Sequence, residues 1–176
     1  MNRMRKNGFT IVELLIVIVV IAILAAVSIV AYNGIQVRAR DAQRAADASS
    51  ILKALEAYKA INNVYPTATS TAGSGSWEQS TETTGTFMEY LQSTFSTKIP
   101  VDPINDGSHV YRYYRYPESW LSSVGCPTNR GALMIFFVIG FEQSSNMPQS
   151  DPAVVCTGAS WGGNTTNYFK YKYENG

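Results

Sequence analysis

The pattern of hydrophobic and polar positions separates an apolar N-terminal segment from a mixed remainder. Between Leu14 and Tyr32, Ser28 is the only strongly polar residue. As a helix rising about 1.5 Å per residue, this run would extend about 28 Å, close to the ~30 Å hydrocarbon core of a bilayer. We therefore predict an apolar helix over residues 9–34 that is inserted in a membrane at some stage.

An amphipathic helical pattern follows, and no proline lies between Phe9 and Asn62. Residues 35–62 are rich in Ala, Arg, Leu, Lys and Glu, which favour helix formation. Ile51, Leu55 and Tyr58 recur at helical spacing and give this segment a face to bury. We predict that it continues the first helix as far as Asn62. Its charged residues are predicted to be solvated or to lie between subunits: Arg38, Arg40, Asp41, Arg44 and Asp47.

The rest of the chain, residues 63–176, is predicted to be a globular head. Residues 67–86 are a Ser/Thr/Gly-rich, exposed loop in this prediction, and residues 87–94 a short helix. Three segments rich in β-branched and aromatic residues are predicted strands, namely residues 110–116, 132–141 and 168–173. The middle segment is apolar on both faces, which is typical of a central strand. The predicted fold class is α+β, with the long N-terminal helix packed on a small antiparallel sheet.

Composition excludes several classes of function. The chain has 14 Lys and Arg against 13 Asp and Glu, a net charge of +1, so it is not a uniformly basic nucleic-acid binder. It has 2 cysteines and 1 histidine, His109, which exclude a multi-histidine metal site. We find no nucleophile motif, phosphate loop or paired carboxylates. We therefore predict no enzyme activity and no cofactor, although a membrane-anchored exported enzyme or binding domain is the alternative of another class.

The residues before the apolar run set its predicted orientation. Arg3, Arg5 and Lys6 precede it without an acid, so the positive-inside rule leaves residues 1–8 in the cytoplasm and exports the remainder. A plain signal anchor would have this layout. A secretory signal peptide is also possible, with cleavage after a small residue such as Ala22, Ala25 or Ala31. Neither interpretation explains Glu13, because a carboxylate inside hydrocarbon is costly and usually has a partner.

Residues 6–14, Lys-Asn-Gly-Phe-Thr-Ile-Val-Glu-Leu, resemble the N-terminus of type IV prepilins and type II secretion pseudopilins. The resemblance covers about residues 3–32. It implies that residues 1–8 are a leader, that a prepilin peptidase cleaves between Gly8 and Phe9, and that Phe9 is then N-methylated. It also implies a pilin fold and polymerisation through the apolar helix.

The same resemblance implies partners and a location. The chain would be a single-pass precursor in the cytoplasmic membrane, then a homo-oligomeric extracellular fibre built by the inner-membrane pilus assembly machinery, serving adhesion, motility or DNA uptake. A type II secretion pseudopilin, whose fibre stays periplasmic, is the alternative. In either fibre Glu13 could pair with the Phe9 ammonium of a neighbouring subunit, neutralising two charges and penalising wrong axial registers.

Cys126 and Cys156 lie in the exported part of the chain, where thiols normally pair. We therefore predict a disulfide between them. The pairing resembles the disulfide-bounded C-terminal loop of many type IV pilins.

Two ligand hypotheses remain. Asp102, Asn105 and Asp106 are the residues that a calcium ion would use, but they are also ordinary turn formers, and we predict no metal site. Two strands alternate tyrosines with bases, as surfaces that stack single-stranded DNA do. Their basic residues are Arg112, Arg115, Lys170 and Lys172. The alternative, a sheet with one buried aromatic face, is the one we favour.

Overall fold

The computed structural model describes residues 9–69, 77–82, 87–95, 98–161 and 167–175. Gly8 lies outside the described residues. The chain divides into two compact units, Met1–Arg38 and Ala39–Gly176. The described part of the first unit is the beginning of a single long helix, and the second unit contains the rest of that helix together with every strand described.

Helix α1 spans Ile11–Asn62, 52 residues without a break. It ends where Asn63 adopts a left-handed conformation, with φ 61°, and donates its backbone N–H to the carbonyl of Lys59 at 2.7 Å. Asparagine tolerates this conformation better than most residues do, so it can terminate a helix in place of glycine.

The main sheet has four antiparallel strands in the order β1-β2-β3-β6: β1 Glu78–Gln79, β2 Val110–Tyr116, β3 Leu133–Ile139 and β6 Asn167–Tyr173. Strand β3 is central, and Phe136 pairs with Tyr113 on one side and Lys170 on the other. Helix α2, Glu118–Ser123, follows β2, and a small sheet is formed by β4 Val154–Val155 and β5 Ser160–Trp161. The predicted α+β class and central strand are confirmed.

Apolar side chains cover both faces of the main sheet, as the all-apolar sequence of β3 requires. One face packs against the C-terminal half of α1, where Ile51 and Leu55 are fully buried together with Tyr111 and Phe136 of the sheet. The other face buries Leu133, Ile135 and Phe169 beneath α2 and the disulfide segment, with Leu121 and Cys126 among the covering residues.

Several elements differ from the sequence prediction. The expected helix over residues 87–94 is only a 3₁₀ turn, Glu89–Leu91. The expected exposed loop over residues 67–86 contains strand β1, in which Glu78 is only 1% exposed. Helix α2 was not predicted. Short elements such as β1 and α2 offer too few residues for a periodic pattern, so long-range pairing decides them.

Candidate processing and assembly site

The start of α1 is closed by reciprocal hydrogen bonds between Thr10 and Glu13. The Glu13 backbone N–H donates to the Thr10 hydroxyl at 3.2 Å. In return the Glu13 carboxylate accepts from the Thr10 backbone N–H at 2.9 Å and from the Thr10 hydroxyl at 2.7 Å. This arrangement is a capping box, which satisfies backbone donors that the first turn of a helix leaves free. The Thr-x-x-Glu spacing was present in the sequence and could have predicted it.

The capping box gives Glu13 a partner within its own chain. Thr10 therefore accounts for part of the tolerance of an acid so close to an apolar run. Phe9 lies beside it and is 87% exposed. Cleavage before Phe9, methylation of Phe9 and pairing of Glu13 with a neighbouring subunit remain predictions.

The first unit exposes a continuous apolar surface. Between Phe9 and Ile35, its described large apolar side chains are exposed to extents between 48% for Val19 and 87% for Phe9. Within the described residues, α1 is the one helix long and apolar enough to cross a membrane by length and composition, and none of its most apolar stretch is buried. A surface of this kind is stable only in lipid or against other apolar helices.

The second unit contains a buried ionic cluster around Arg44. The Arg44 guanidinium donates to both carboxylate oxygens of Asp102, at 2.7 and 3.2 Å, to Asp41 at 2.8 Å and to Glu142 at 3.1 Å. Arg40 completes the cluster with a 2.6 Å hydrogen bond to Glu142. We call these five residues the Arg44 cluster. It joins α1 to the turn at Asp102 and to the segment after β3.

Hydrogen bonds favour the charged forms of Glu142, Arg44 and Asp41. Arg40 first, and Arg44 as well, lower the pKa of the Glu142 carboxyl to about 2. Burial disfavours the charged form of Arg44, yet the carboxylates of Asp102 and Glu142 hold its pKa above the ordinary value. Burial also disfavours the charged form of Asp41. Hydrogen bonds from Asn146 and from the backbone N–H groups of Glu142 and Gln143 nevertheless bring the pKa of Asp41 below the ordinary value.

The burial of Asp41 and Arg44 contradicts the sequence prediction for this part of α1. The charged stretch of α1 was expected to be solvated or to lie between subunits, but Asp41 and Arg44 are fully buried inside one chain. Their main partners, Asp102 and Glu142, are distant in sequence, so no local spacing indicated the cluster. The i,i+3 spacing of Asp41 and Arg44 was the available signal, and it is equally typical of an exposed helix.

Cys126 and Cys156 form a disulfide, with their Cα atoms 4.8 Å apart. Two backbone hydrogen bonds support it, from Gly158 N–H to the Val124 carbonyl at 2.9 Å and from Cys156 N–H to the Ala159 carbonyl at 2.7 Å. The disulfide therefore closes a compact segment that covers the outer face of the sheet.

The three calcium candidates have separate partners. Asp102 binds Arg44, and the Asn105 side-chain oxygen accepts from the Ser80 hydroxyl at 2.7 Å. Asp106 accepts from the backbone N–H of His109 at 2.7 Å. Asp102 and Asp106 also accept backbone N–H groups two or three residues ahead, the geometry of the turn-forming role.

The DNA hypothesis placed Arg112, Arg115, Lys170 and Lys172 on one platform, and the structure contradicts this placement. Strand β3 lies between β2 and β6, so the two basic strands are not neighbours. Arg115, Lys170 and Lys172 lie on the face that packs against α1, and Arg112 on the opposite face.

The same four basic side chains also have partners inside the chain. Arg115 binds Glu174 at 2.6 Å, Lys170 binds Asp151 at 2.6 Å, and Lys172 binds Glu56 at 2.8 Å. Arg112 donates to the Gln79 side chain at 3.0 Å.

Comparison with known proteins points to the same N-terminal segment. Residues 3–29 match the family model of the prokaryotic N-terminal methylation motif. The chain is 36% identical over 67 residues to type II secretion system core protein G of Aeromonas hydrophila, a match that covers 38% of this chain and 47% of that relative. The chain thus spans about half the length of the curated relative that it matches. No solved structure is significantly similar to it. The N-terminal segment therefore carries the prokaryotic methylation motif, and the predicted resemblance to prepilins and pseudopilins is confirmed.

Proposed function

We propose that this chain is a structural subunit of a type IV pilus-like filament, stored in the cytoplasmic membrane and polymerised through α1 after residues 1–8 are removed. The observation that carries the proposal is the methylation motif over residues 3–29, which runs directly into an apolar helix that nothing in the described chain covers. The role is mechanical, and no catalytic step is assigned to the chain.

The apolar surface of the first unit supports the proposed polymerisation. Burying apolar surface stabilises by about 25 cal/mol per Å² removed from water. Lipid provides that burial for the stored subunit, and neighbouring α1 helices provide it in a filament. Packing of apolar side chains alone tolerates many axial shifts between helices, whereas a buried charge pair tolerates few.

Glu13 supplies the charge that would fix the axial shift. Cleavage before Phe9 creates an α-ammonium about one helical turn from Glu13. In a dry bundle, each carboxylate then needs a cation, and the Phe9 ammonium of a neighbouring subunit provides it. Before that partner arrives, the Thr10 hydroxyl and backbone N–H donate hydrogen bonds to the carboxylate. These bonds leave other lone pairs of the carboxylate free to accept from the ammonium.

The proposal implies two kinds of partner. A prepilin peptidase with methylase activity would act between Gly8 and Phe9, and the inner-membrane assembly machinery would extract the mature subunit from the membrane. The product would be an extracellular fibre, held together by contacts between copies of this chain.

A pseudopilin of a type II secretion system is the second candidate, because the relative from Aeromonas hydrophila is named as a core protein of such a system. This role uses the same processing and the same helix, but its fibre remains in the periplasm. The disulfide-closed C-terminal segment, which resembles that of many type IV pilins, favours the first candidate.

Fibre yield from a Glu13→Ala variant tests the proposal. We expect normal cleavage and membrane insertion, but loss of sheared surface fibres in electron micrographs. Ser28→Ala is the matched control, because it also removes a polar group from the apolar part of α1, where the Ser28 hydroxyl only bonds the Leu24 carbonyl at 2.7 Å. Wild-type fibre yield from Glu13→Ala would contradict the pairing. Fibres found only in the periplasm would favour the pseudopilin.

A further inference from the structure

The outer edge of β6 is closed by two residues of the segment after β3. Among the described strands, β6 pairs with β3 alone, so every second residue of β6 directs its backbone groups away from the sheet. The Phe169 N–H donates to the Ser150 hydroxyl at 3.1 Å, and the Phe169 carbonyl accepts from the Asp151 backbone N–H at 2.9 Å. The Tyr171 N–H donates to the Asp151 carboxylate at 3.1 Å. We call Ser150 and Asp151 the β6 guard.

The β6 guard replaces a neighbouring strand with few backbone groups. The Asp151 N–H makes a strand-like hydrogen bond, whereas the other two bonds use side-chain oxygens. Pro152 follows directly and has no N–H, which prevents the segment from continuing as a paired strand. Lys170 adds an ion pair with Asp151 at 2.6 Å, but both side chains are partly exposed, so the pair contributes little.

The β6 guard lies at the surface, while β6 itself is anchored in the core. Every residue from 148 to 153 is half-buried or exposed. In β6, Tyr168 and Phe169 are buried in the two apolar clusters on opposite faces of the sheet. Segments with few buried contacts open locally at a lower free energy than core strands do. The guard can therefore leave the edge while β6 stays in the sheet.

We propose that the outer edge of β6 is a latent pairing surface for β6 of a second copy of this chain, and that the β6 guard keeps it closed. Two copies of one strand can pair antiparallel about a two-fold axis, each presenting the same groups. A pair centred on Phe169 would exchange the N–H and carbonyl of Phe169 between the two copies. The guard occupies both of these groups, so the guard and a second copy exclude each other.

The side chains of β6 favour this register. Centring on Phe169 places Lys170 of each copy opposite Tyr168 of the other, and an ammonium over a tyrosine ring is attractive. Within one chain, the Lys170 ammonium already lies 5.9 Å from the centroid of the Tyr168 ring. A pair centred on Tyr171 would instead place Lys170 opposite Lys172, and like charges directly opposite each other are destabilising. The sequence of β6 therefore supports the pair centred on Phe169.

This surface is separate from the one used in the proposed filament. Polymerisation through α1 uses the apolar helix of the first unit, whereas β6 and its guard belong to the second unit. An open sheet edge is a template for pairing between chains, and proteins commonly protect such edges. The β6 guard would thus prevent the heads from associating through their sheets.

Residue-resolved amide exchange tests the proposal on the full chain in detergent micelles, at low and at high protein concentration. The double variant Ser150→Ala, Asp151→Ala removes both side chains of the β6 guard. Asp106→Ala is the matched control, because the Asp106 carboxylate also accepts two backbone N–H groups, but in a turn outside the sheet. The amide of Lys170, which faces β3, serves as the internal reference for an intact sheet.

At low concentration, the amides of Phe169 and Tyr171 should exchange several-fold faster in the double variant than in wild type, while the Lys170 amide is unchanged. At high concentration, the double variant should regain protection at both amides, because β6 of a second copy replaces the guard. Exchange in wild type and in Asp106→Ala should not depend on concentration.

Two results would overturn the proposal. Exchange of Phe169 and Tyr171 as slow as in wild type at low concentration would show that the guard does not close this edge. Fast exchange that persists at high concentration would show that no second copy pairs there. Fast exchange of Lys170 as well would mean that the double variant has lost its sheet. Asp151→Ala alone then replaces it, and the same two results are judged at Tyr171.

Discussion

Arg44 shows how a single residue can connect distant parts of a chain. Its guanidinium is fully buried and bonds three carboxylates, of which Asp102 is 58 positions away and Glu142 is 98. Charges of this kind lose their hydration, and only complete pairing offsets that cost. The Arg44 cluster therefore ties the second half of α1 to the turn at Asp102 and to the segment after β3, beside the apolar contacts of Ile51 and Leu55.

Removing Arg44 should destabilise the second unit strongly. Arg44→Met would leave Asp41 and Asp102 buried without their cation, which typically costs about 3–5 kcal/mol. Urea unfolding of the full chain in detergent, followed by the fluorescence of its tryptophans, would measure the loss. Lys53→Met makes the same change at an exposed site on the same helix and should shift stability little. Equal effects of the two substitutions would show that the Arg44 cluster does not hold the packing.

Glu142 makes the stability of the head dependent on acid. Its pKa is lowered from 4.5 to about 2 by Arg40 first and by Arg44 as well. A depressed carboxyl pKa stabilises the folded state above the unfolded value, and the contribution is lost as pH falls from about 4.5 to about 2. The full contribution is about 3 kcal/mol.

Thermal unfolding between pH 7 and pH 2 should reveal this contribution. Glu142→Gln should be less stable than wild type at neutral pH, and the two should converge at the acid end. Glu118→Gln, an exposed acid on α2, should follow the wild-type curve throughout. A constant difference between Glu142→Gln and wild type across this range would contradict the assigned pKa.

At the residue scale, the sequence predicted the disulfide but not the capping box or the contacts of Arg44. The Cys126–Cys156 pair was predicted from the presence of just two thiols in a segment expected to be exported, and the structure contains that disulfide. The Thr10–Glu13 capping box was readable from spacing and was overlooked. The partners of Arg44, and the burial of Glu78, depend on contacts between segments far apart in sequence, which no local pattern encodes.

At the scale of elements, helix α1 contains a glycine at a position where the packing leaves room for a larger side chain. Gly34 lies within α1, and a Cβ added there would meet no atom within 4 Å. Glycine inside a helix is less stable than alanine by about 0.5–1 kcal/mol, because it loses more backbone freedom on folding. Packing of the described chain therefore does not require glycine, and the residue locally weakens α1.

Gly34→Ala should strengthen α1 in this region. Backbone amides near residue 34 should exchange about two- to fivefold more slowly in detergent micelles. Gly140→Ala provides the contrast, because Gly140 has φ +89° and an added Cβ would collide with the Ser108 carbonyl oxygen. We expect that substitution to destabilise the head. Faster exchange near residue 34 in Gly34→Ala would contradict the assignment of Gly34 as a weak position.

The elements with strong periodicity were predictable, and the short ones were not. The sequence prediction for residues 110–116 coincides with β2, and the predicted central strand contains β3. Both strands consist mainly of aromatic and aliphatic residues and are bounded by turn residues, so their sequences predict strands. Strand β1 has two residues and contains a buried acid, so its position depends on pairing with β2 and on the hydrogen bonds of Glu78.

At the scale of the whole molecule, the two units have different sources of stability. The second unit has two apolar clusters, the Arg44 cluster and a disulfide. The first has an exposed apolar surface that must find lipid or other helices. This separation suits the proposed filament subunit, in which one part would stay folded while the other moves from membrane to fibre.

The disulfide should account for a substantial share of the head's stability. Cys126 and Cys156 are 30 positions apart, and closing a loop of that size stabilises by about 3–4 kcal/mol in the chain-entropy description. Urea unfolding of the full chain in detergent should shift by this amount when a reductant is added. A double Cys126→Ser, Cys156→Ser variant should match reduced wild type and should not respond to reductant. A wild-type midpoint that is insensitive to reduction would contradict this assignment.

The N-terminus of the fibre-derived protein tests the central claim most directly. If the chain is a processed filament subunit, intact-mass and N-terminal peptide spectra of sheared fibres should show a chain that begins at Phe9 and carries one additional methyl group on its α-amine. The methylation motif over residues 3–29 supports this expectation. A mature chain that begins after Ala25 or Ala31, lacking the apolar helix, would identify the segment as a secretory signal peptide and contradict the proposed assembly.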